Sequence, residues 1–201
     1  MNKQQSKFNR QKALRHSNQE SKRITRESVE VAFVDLLSKK EINKISISEI
    51  TKRAGVSRSA FYRNYTSKEE ILASISHHLL DYVNKYFQEI VTHKHNSFFY
   101  QEIFSKVRME KRTFAIFIKT GILEKNSTKI MSFIDENLPY VSSKTRYLLY
   151  GWAGMMLHIL VKWYEEGMKE SDETMGNLCY ELFEKLCQEI KKFDPEFLVE
   201  F

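Results

Sequence analysis

Little in this sequence punctuates the chain. Two prolines, Pro139 and Pro195, and six glycines in 201 residues leave few places for turns. Such sparse breaks argue against a fold of many short strands and favour long helices. Cysteine is almost absent too, with only Cys179 and Cys187. Eight residues apart in a helical pattern, their Cα atoms would stand about 12 Å apart by helical rise, beyond bridging range. Both are therefore expected to be small buried apolar side chains. No apolar run approaches the roughly 20 residues of a membrane span, so no membrane partner is expected. Met1 to Arg10 lack the apolar stretch of an export signal, which makes the cytoplasm, with its nucleoid, the expected compartment. No phosphate-cradling glycine loop, nucleophile elbow or zinc-ligand spacing occurs, so an enzyme is not expected. His77, His78, His93 and His95 match no standard metal spacing, and neither metal nor cofactor is expected.

Acidic residues are scarce in the first third and ordinary thereafter. Residues 1–70 hold 16 Lys and Arg against 8 Asp and Glu, a net +8; residues 71–201 hold 16 against 18, a net −2. A basic module joined to a neutral body is the electrostatic footprint of polyanion binding. A solvated basic tail would give the same totals, so charge alone does not decide.

Hydrophobic spacing divides the chain. Residues 1–22 are rich in Gln, Asn, Ser, Lys and Arg, and predict a disordered basic arm. From Arg23, Val29, Phe33, Leu36 and Leu37 recur at helical spacing. Ser46 with Glu49 three residues on predicts a capping box opening a second helix, with Ile50 and Ala54 inward and an end at Gly55. Ser57 caps a short third helix, Arg58 to Asn64. Ser67 and Glu70 predict another capping box and a long fourth helix reaching about Thr92. Further helices are predicted over 98–107, 111–123, 127–137, 142–166 and 171–192, with 93–96 as a loop. The fold class is all-α.

Within residues 46–65, two short helices meet at the Gly55-Val56-Ser57 turn. Ile50, Phe61 and Tyr65 face inward at helical spacing, leaving Arg58, Ser59, Tyr62, Arg63 and Asn64 outward. Cations, hydrogen-bonding groups and an aromatic hydroxyl on one short helix suit entry into a DNA major groove.

Here the sequence resembles the tetracycline-repressor (TetR) family of bacterial regulators over roughly residues 23–74. The resemblance rests on Ile50-Thr51-Lys52-Arg53-Ala54-Gly55-Val56-Ser57-Arg58-Ser59-Ala60-Phe61-Tyr62-Arg63-Asn64-Tyr65, followed by Ser67-Lys68-Glu69-Glu70-Ile71-Leu72. Asn64 departs from the family pattern, which usually has His there. The resemblance implies a three-helix DNA-binding domain over 23–68 with its motif at 46–65, and a helical effector-binding and dimerisation domain over 69–201. It implies that Tyr62 donates its hydroxyl to a phosphate and that Lys68 holds another at a helix N-terminus. Ser46 and Ser57 are candidates for similar contacts, and Arg58, Ser59 and Arg63 for reading bases of a palindromic double-stranded operator.

For the second domain, two long helices offer dimer faces: Tyr147, Leu148, Gly151, Met155, Ile159 and Trp163 on one, and Met175, Leu178, Leu182, Phe183, Leu186 and Ile190 on the other. Paired across a two-fold axis they would form a four-helix bundle; burial within one chain is the alternative. Phe104, Phe114, Phe117, Trp152, Met155 and Met156 are candidates for the lining of a pocket for a small apolar or aromatic effector, or are simply core. Tyr100, Tyr147, Tyr150 and His158 are candidates for polar contacts beside it. The expected function is a dimeric repressor whose recognition helices, about 34–36 Å apart, lose their spacing when an effector retilts the fourth helix. A chromosome-organising protein or a coactivator of the same fold is the alternative.

Overall fold

Side-chain oxygens open most of the helices. Ser46, Ser57, Asn96, Ser142 and Ser171 each accept a backbone N–H three residues on, satisfying a donor that the first helical turn cannot. The computed structural model describes residues 3–91 and 96–195. Among these are nine α-helices and no strand, so the chain is all-α as expected. The helices are α1 (Lys3–Leu37), α2 (Ile47–Ala54), α3 (Arg58–Tyr62), α4 (Lys68–Val91), α5 (Ser97–Met109), α6 (Lys111–Lys119), α7 (Ile122–Asn137), α8 (Ser143–Glu165) and α9 (Asp172–Ile190). A 3-10 turn, Ile42–Lys44, joins α1 to α2. The predicted loop at 93–95 and the helix end at Thr92 lie outside the described residues.

Three expectations need correction. The arm over 1–22 is helical from Lys3 onward. No glycine or proline precedes Gly55, and Gln, Lys, Arg and Ala are good helix formers. Ion pairs from Arg23 to Glu20 and Glu27 add support at one-turn spacing. Second, the helices predicted over 111–123 and 127–137 divide earlier, at Gly121. That residue takes a left-handed φ of 66° while Thr120 and Gly121 close on the carbonyls of Ile116 and Ile118. Third, the predicted box at Ser67 and Glu70 forms only in half. Ser67 accepts from the Glu70 N–H at 3.1 Å, but the Glu70 carboxylate reaches back one residue further, to the Thr66 N–H.

The chain forms two compact units, Met1–Ile75 and Ser76–Phe201. The boundary expected after residue 68 falls seven residues later, because the first turns of α4 bury Ile71 and Ile75 in the first unit. That unit's core is Val29, Phe33, Leu37, Ile45, Ile50, Phe61, Tyr65 and Ile71. In the second unit α5 lies along α9, and Gly176 sets their approach: a Cβ there would stand 2.6 Å from the Gln101 nitrogen. Aromatic rings of Phe99, Tyr100, Phe104, Trp152, Trp163 and Phe183 fill the space around Cys179 and Cys187. Both thiols are free and buried, and burial pushes each up to about 12, as inert apolar side chains. Arg108 ties the α8–α9 connection to α5, donating to Asp172 and to the carbonyls of Met168 and Glu170.

Candidate nucleic-acid interface

The two-helix motif is built by local chemistry. The Glu49 N–H donates to Ser46 Oγ at 3.2 Å, and the Ser46 N–H donates to Glu49 Oε2 at 3.0 Å. Lys40 adds an ion pair to the same carboxylate. The hydrogen bond from Lys40, then those from Ser46, hold the Glu49 carboxyl down to about 2. Gly55 ends α2 with φ 67° and ψ 27°, and the Val56 N–H closes on the Thr51 carbonyl. A Cβ at Gly55 would meet no atom within 4 Å, so the backbone angle alone calls for glycine.

Ser57 then caps α3, its Oγ also lying 3.0 Å from Ser59 Oγ. Phe61 and Tyr65 are fully buried, and their burial fixes which side of α3 faces out. Arg58, Ser59, Tyr62 and Arg63 are all exposed. Tyr62 stands 55% exposed with its ring edge-on to Phe61. The Arg58 guanidinium donates to Ser48 Oγ across the turn, which steadies it beside α2. Lys52 and Arg53 are exposed on the last turn of α2. The result is a contiguous cationic and hydroxyl-bearing ridge, able to donate to phosphates and base acceptors.

Two candidates stand differently from their expected poses. Asn64, expected outward, is half-buried and turned back: its Nδ2 donates to the Ala60 carbonyl at 2.8 Å, and its Oδ1 is buried without a partner. α3 ends at Tyr62, two residues earlier than predicted, which removes Asn64 from the outward row. Lys68 is partly buried. Its ammonium donates to the carbonyls of Ile42 at 2.7 Å and Ile45 at 2.8 Å, so two of three protons serve the connection before α2. Ser46 is exposed, with its hydroxyl engaged in the capping box.

Sequence reasoning missed the network behind α3. Tyr65 donates its hydroxyl to Glu30, which also accepts from Ser74 Oγ at 2.7 Å. Arg26 donates to Ser74 Oγ at 2.7 Å and to the Asn64 carbonyl at 3.3 Å, with its guanidinium 4.5 Å from the centre of the Tyr65 ring. Burial, then the bond to Glu30, raises the Tyr65 hydroxyl far above its ordinary value. The available signal was Arg26 and Glu30 one turn apart on the same face of α1 as Val29 and Phe33.

In the second unit, Phe104, Trp152, Met155 and Met156 come together in the core between α5, α8 and α9. Phe114 and Phe117 are buried on α6, with Phe114 against Tyr164. Tyr100 lies in the same core as Trp152, its hydroxyl buried without a partner. Among the described residues no group of three His, Cys, Asp or Glu could hold a metal, and no helix is long and apolar enough to cross a membrane. His93 and His95 lie outside the described residues.

This geometry defines a helix-turn-helix protein of the DNA-binding class. Residues 32–75 match the family model for bacterial regulatory proteins of the tetR family. Two HTH-type transcriptional regulators of Bacillus subtilis (strain 168) are similar over this region. YxbF is 40% identical over 52 residues, 25% of this chain and 14% of that protein. YvdT is 35% identical over 54 residues, 27% of this chain and 28% of that protein. The likeness thus spans well under half the length of either relative. The crystal structure of a tetR-family regulator from Streptomyces coelicolor superposes with a TM-score of 0.59, covering 88% of this chain and 86% of that one. At 14% identity that likeness speaks to the fold. Over residues 32–75 the chain thus resembles the DNA-binding domain of the tetR-family regulatory proteins.

Proposed function

We propose that this chain is a sequence-specific transcriptional regulator that binds a palindromic DNA operator as a homodimer and is released by a small apolar or aromatic effector. The observation that carries the reading is the exposed row Arg58, Ser59, Tyr62 and Arg63 on a helix whose other face is locked inward by Phe61 and Tyr65. Tyr62 grips a phosphate, and Arg58 and Arg63 read bases, where a bidentate arginine–guanine pair is the commonest specific contact. Lys68 adds its remaining N–H to a phosphate, and Ser46 and Ser57 flank the contact.

Dimerisation through α8 and α9 is supported by apolar surface left open on both. Tyr147 is 73% exposed and Leu178 44%, and Gly151 and Gly154 have open space around them. The partly buried Met155 and Ile159 lie along the same region of α8. Trp163, Met175, Phe183 and Ile190, expected on the dimer faces, are instead buried within the chain: Phe104 of α5 packs against Trp163, and α5 lies over that side of α9. The dimer face is therefore narrower than the full stripes. Effector relay is supported by α4 continuing unbroken across the unit boundary at Ile75 and Ser76.

The test is fluorescence anisotropy on duplexes that the protein itself selects from a random pool, with a scrambled duplex as reference. Arg63→Ala is expected to weaken the selected site by about 1–3 kcal/mol and the scrambled one much less. Tyr62→Phe is expected to weaken both equally. Equal affinity of the parent protein for selected and scrambled duplexes would refute sequence-specific binding. Sedimentation equilibrium at micromolar concentration reads the dimer.

A further inference from the structure

We propose that the N-terminal half of α1 is a second DNA-binding element, a basic helical arm that lies on duplex phosphates beyond the reach of α3. This rests on the DNA-binding reading above and extends its footprint.

α1 runs 35 residues, yet the first buried side chain among those described is Val29. Lys12 and the described side chains from Leu14 to Ser28 are exposed or only half-covered. Packing within the unit therefore gives this stretch no reason to be helical. An unpacked helix of about 20 residues is marginal in water and needs another source of stability.

The charges are sorted in a way that suggests the source. Glu20 and Glu27, the two acids of the stretch, are both occupied by one cation, Arg23, at 2.6 Å and 2.5 Å. Lys12, Arg15 and Lys22 are exposed and, among the described residues, make no ion pair with an acid. With Gln19 they follow the spacing 3, 4, 3, which places all four on one stripe of the helix with no acid on it. The stripe covers about 15 Å of helix rise. Lys3, Lys7 and Arg10 precede it. Unscreened cations along a rod meet a rod-like polyanion well, since duplex DNA carries one negative charge per roughly 1.7 Å of axis.

A membrane fits less well. Interfacial helices bury a broad apolar face. Up to Arg26 the arm offers only Phe8, Leu14 and Ile24 as large apolar residues, and the stripe from Leu14 to Ile24 carries Ser17 and Ser21 between them, so no broad apolar face forms.

The experiment compares the full-length parent with Lys12→Gln/Arg15→Gln/Lys22→Gln, a variant that keeps good helix formers. Affinity for the selected and scrambled duplexes is measured from 50 to 200 mM salt. Losing three phosphate contacts should flatten the slope of log K against log salt by up to about 2.7, so the variant loses about 40-fold less affinity over that range. The ratio between the two duplexes should not move, because phosphate contacts carry no sequence information. The arginine and lysine exchange Lys12→Arg/Arg15→Lys/Lys22→Arg should restore the parent slope. An unchanged slope in the glutamine variant overturns the arm while leaving the α3 reading intact. Failure of the parent to bind duplex at all overturns both. A parent slope kept by the variant, together with charge-dependent pelleting on vesicles of 30% phosphatidylserine in phosphatidylcholine, would assign the stripe to membranes and overturn the proposal.

Discussion

Gly176 offers a sharp test of the second unit. Replacing it by alanine places a Cβ 2.6 Å from the Gln101 nitrogen and 2.8 Å from its Cα, where ordinary contact begins at 3.4 Å. The obstruction is backbone, so α5 and α9 must separate by about 0.8 Å or more. That shift would disturb Tyr100, Phe104, Cys179 and Phe183, all fully buried between these helices. Overpacking of this kind costs about 1–3 kcal/mol. Alanine's higher helix propensity returns about 0.5–1 kcal/mol. Strain should win by about 1–2 kcal/mol. Gly151→Ala and Gly154→Ala on α8 are the controls: nothing lies within 4 Å of either added Cβ, so the propensity gain of about 0.5–1 kcal/mol stands unopposed. The two tryptophans, Trp152 and Trp163, both belong to the second unit, so tryptophan fluorescence during urea or thermal unfolding reads this unit directly. Gly176→Ala should lower the midpoint by roughly 2–8 °C and the controls raise it slightly at low protein concentration. If Gly176→Ala stabilises as the controls do, the close approach of α5 and α9 is wrong. A loss in Gly151→Ala or Gly154→Ala that grows with protein concentration would mark those glycines as points of helix contact between subunits.

Tyr65→Phe removes a hydroxyl donor to the buried Glu30 and should destabilise the first unit by about 1.5–3 kcal/mol, read by amide exchange in α3. Unaltered protection would show that the network does not hold the recognition helix. The Glu49 carboxyl, ordinarily at 4.5, is held down to about 2 in the folded chain, so its contribution is present above pH 4.5 and fades as pH falls from about 4.5 towards 2. Glu49→Gln should lose that part of the acid sensitivity of α2, measured by the far-ultraviolet circular dichroism of the two proteins between pH 5 and 2. Cys179 and Cys187, raised to about 12 by burial, should resist a disulfide reagent at pH 8 in the folded protein and react at once in urea. Rapid reaction of either thiol in the native state would contradict the core described around Tyr100.

What could be read from the chain alone was chemistry that closes within about four residues. A capping box needs only Ser46 and Glu49; a left-handed exit needs only Gly55; the inward set Ile50, Phe61 and Tyr65 follows from helical period once those ends are set. The recognition ridge was legible for that reason. Gly121 is a local stop inside the helix predicted over 111–123, and residues 3–22 are helical where their polar composition predicts disorder, since Gln, Lys, Arg and Ala among them are good helix formers. Tertiary structure alone decided the rest. Lys68 meets Ile42 and Ile45 from 26 and 23 residues away, Ser74 meets Glu30 from 44, and Gly176 meets Gln101 across two different helices. Trp163 turns inward because Phe104 of a different helix packs against it. Helical period says which residues share a face, but only the packed neighbours determine whether that face meets water, a carbonyl or another backbone.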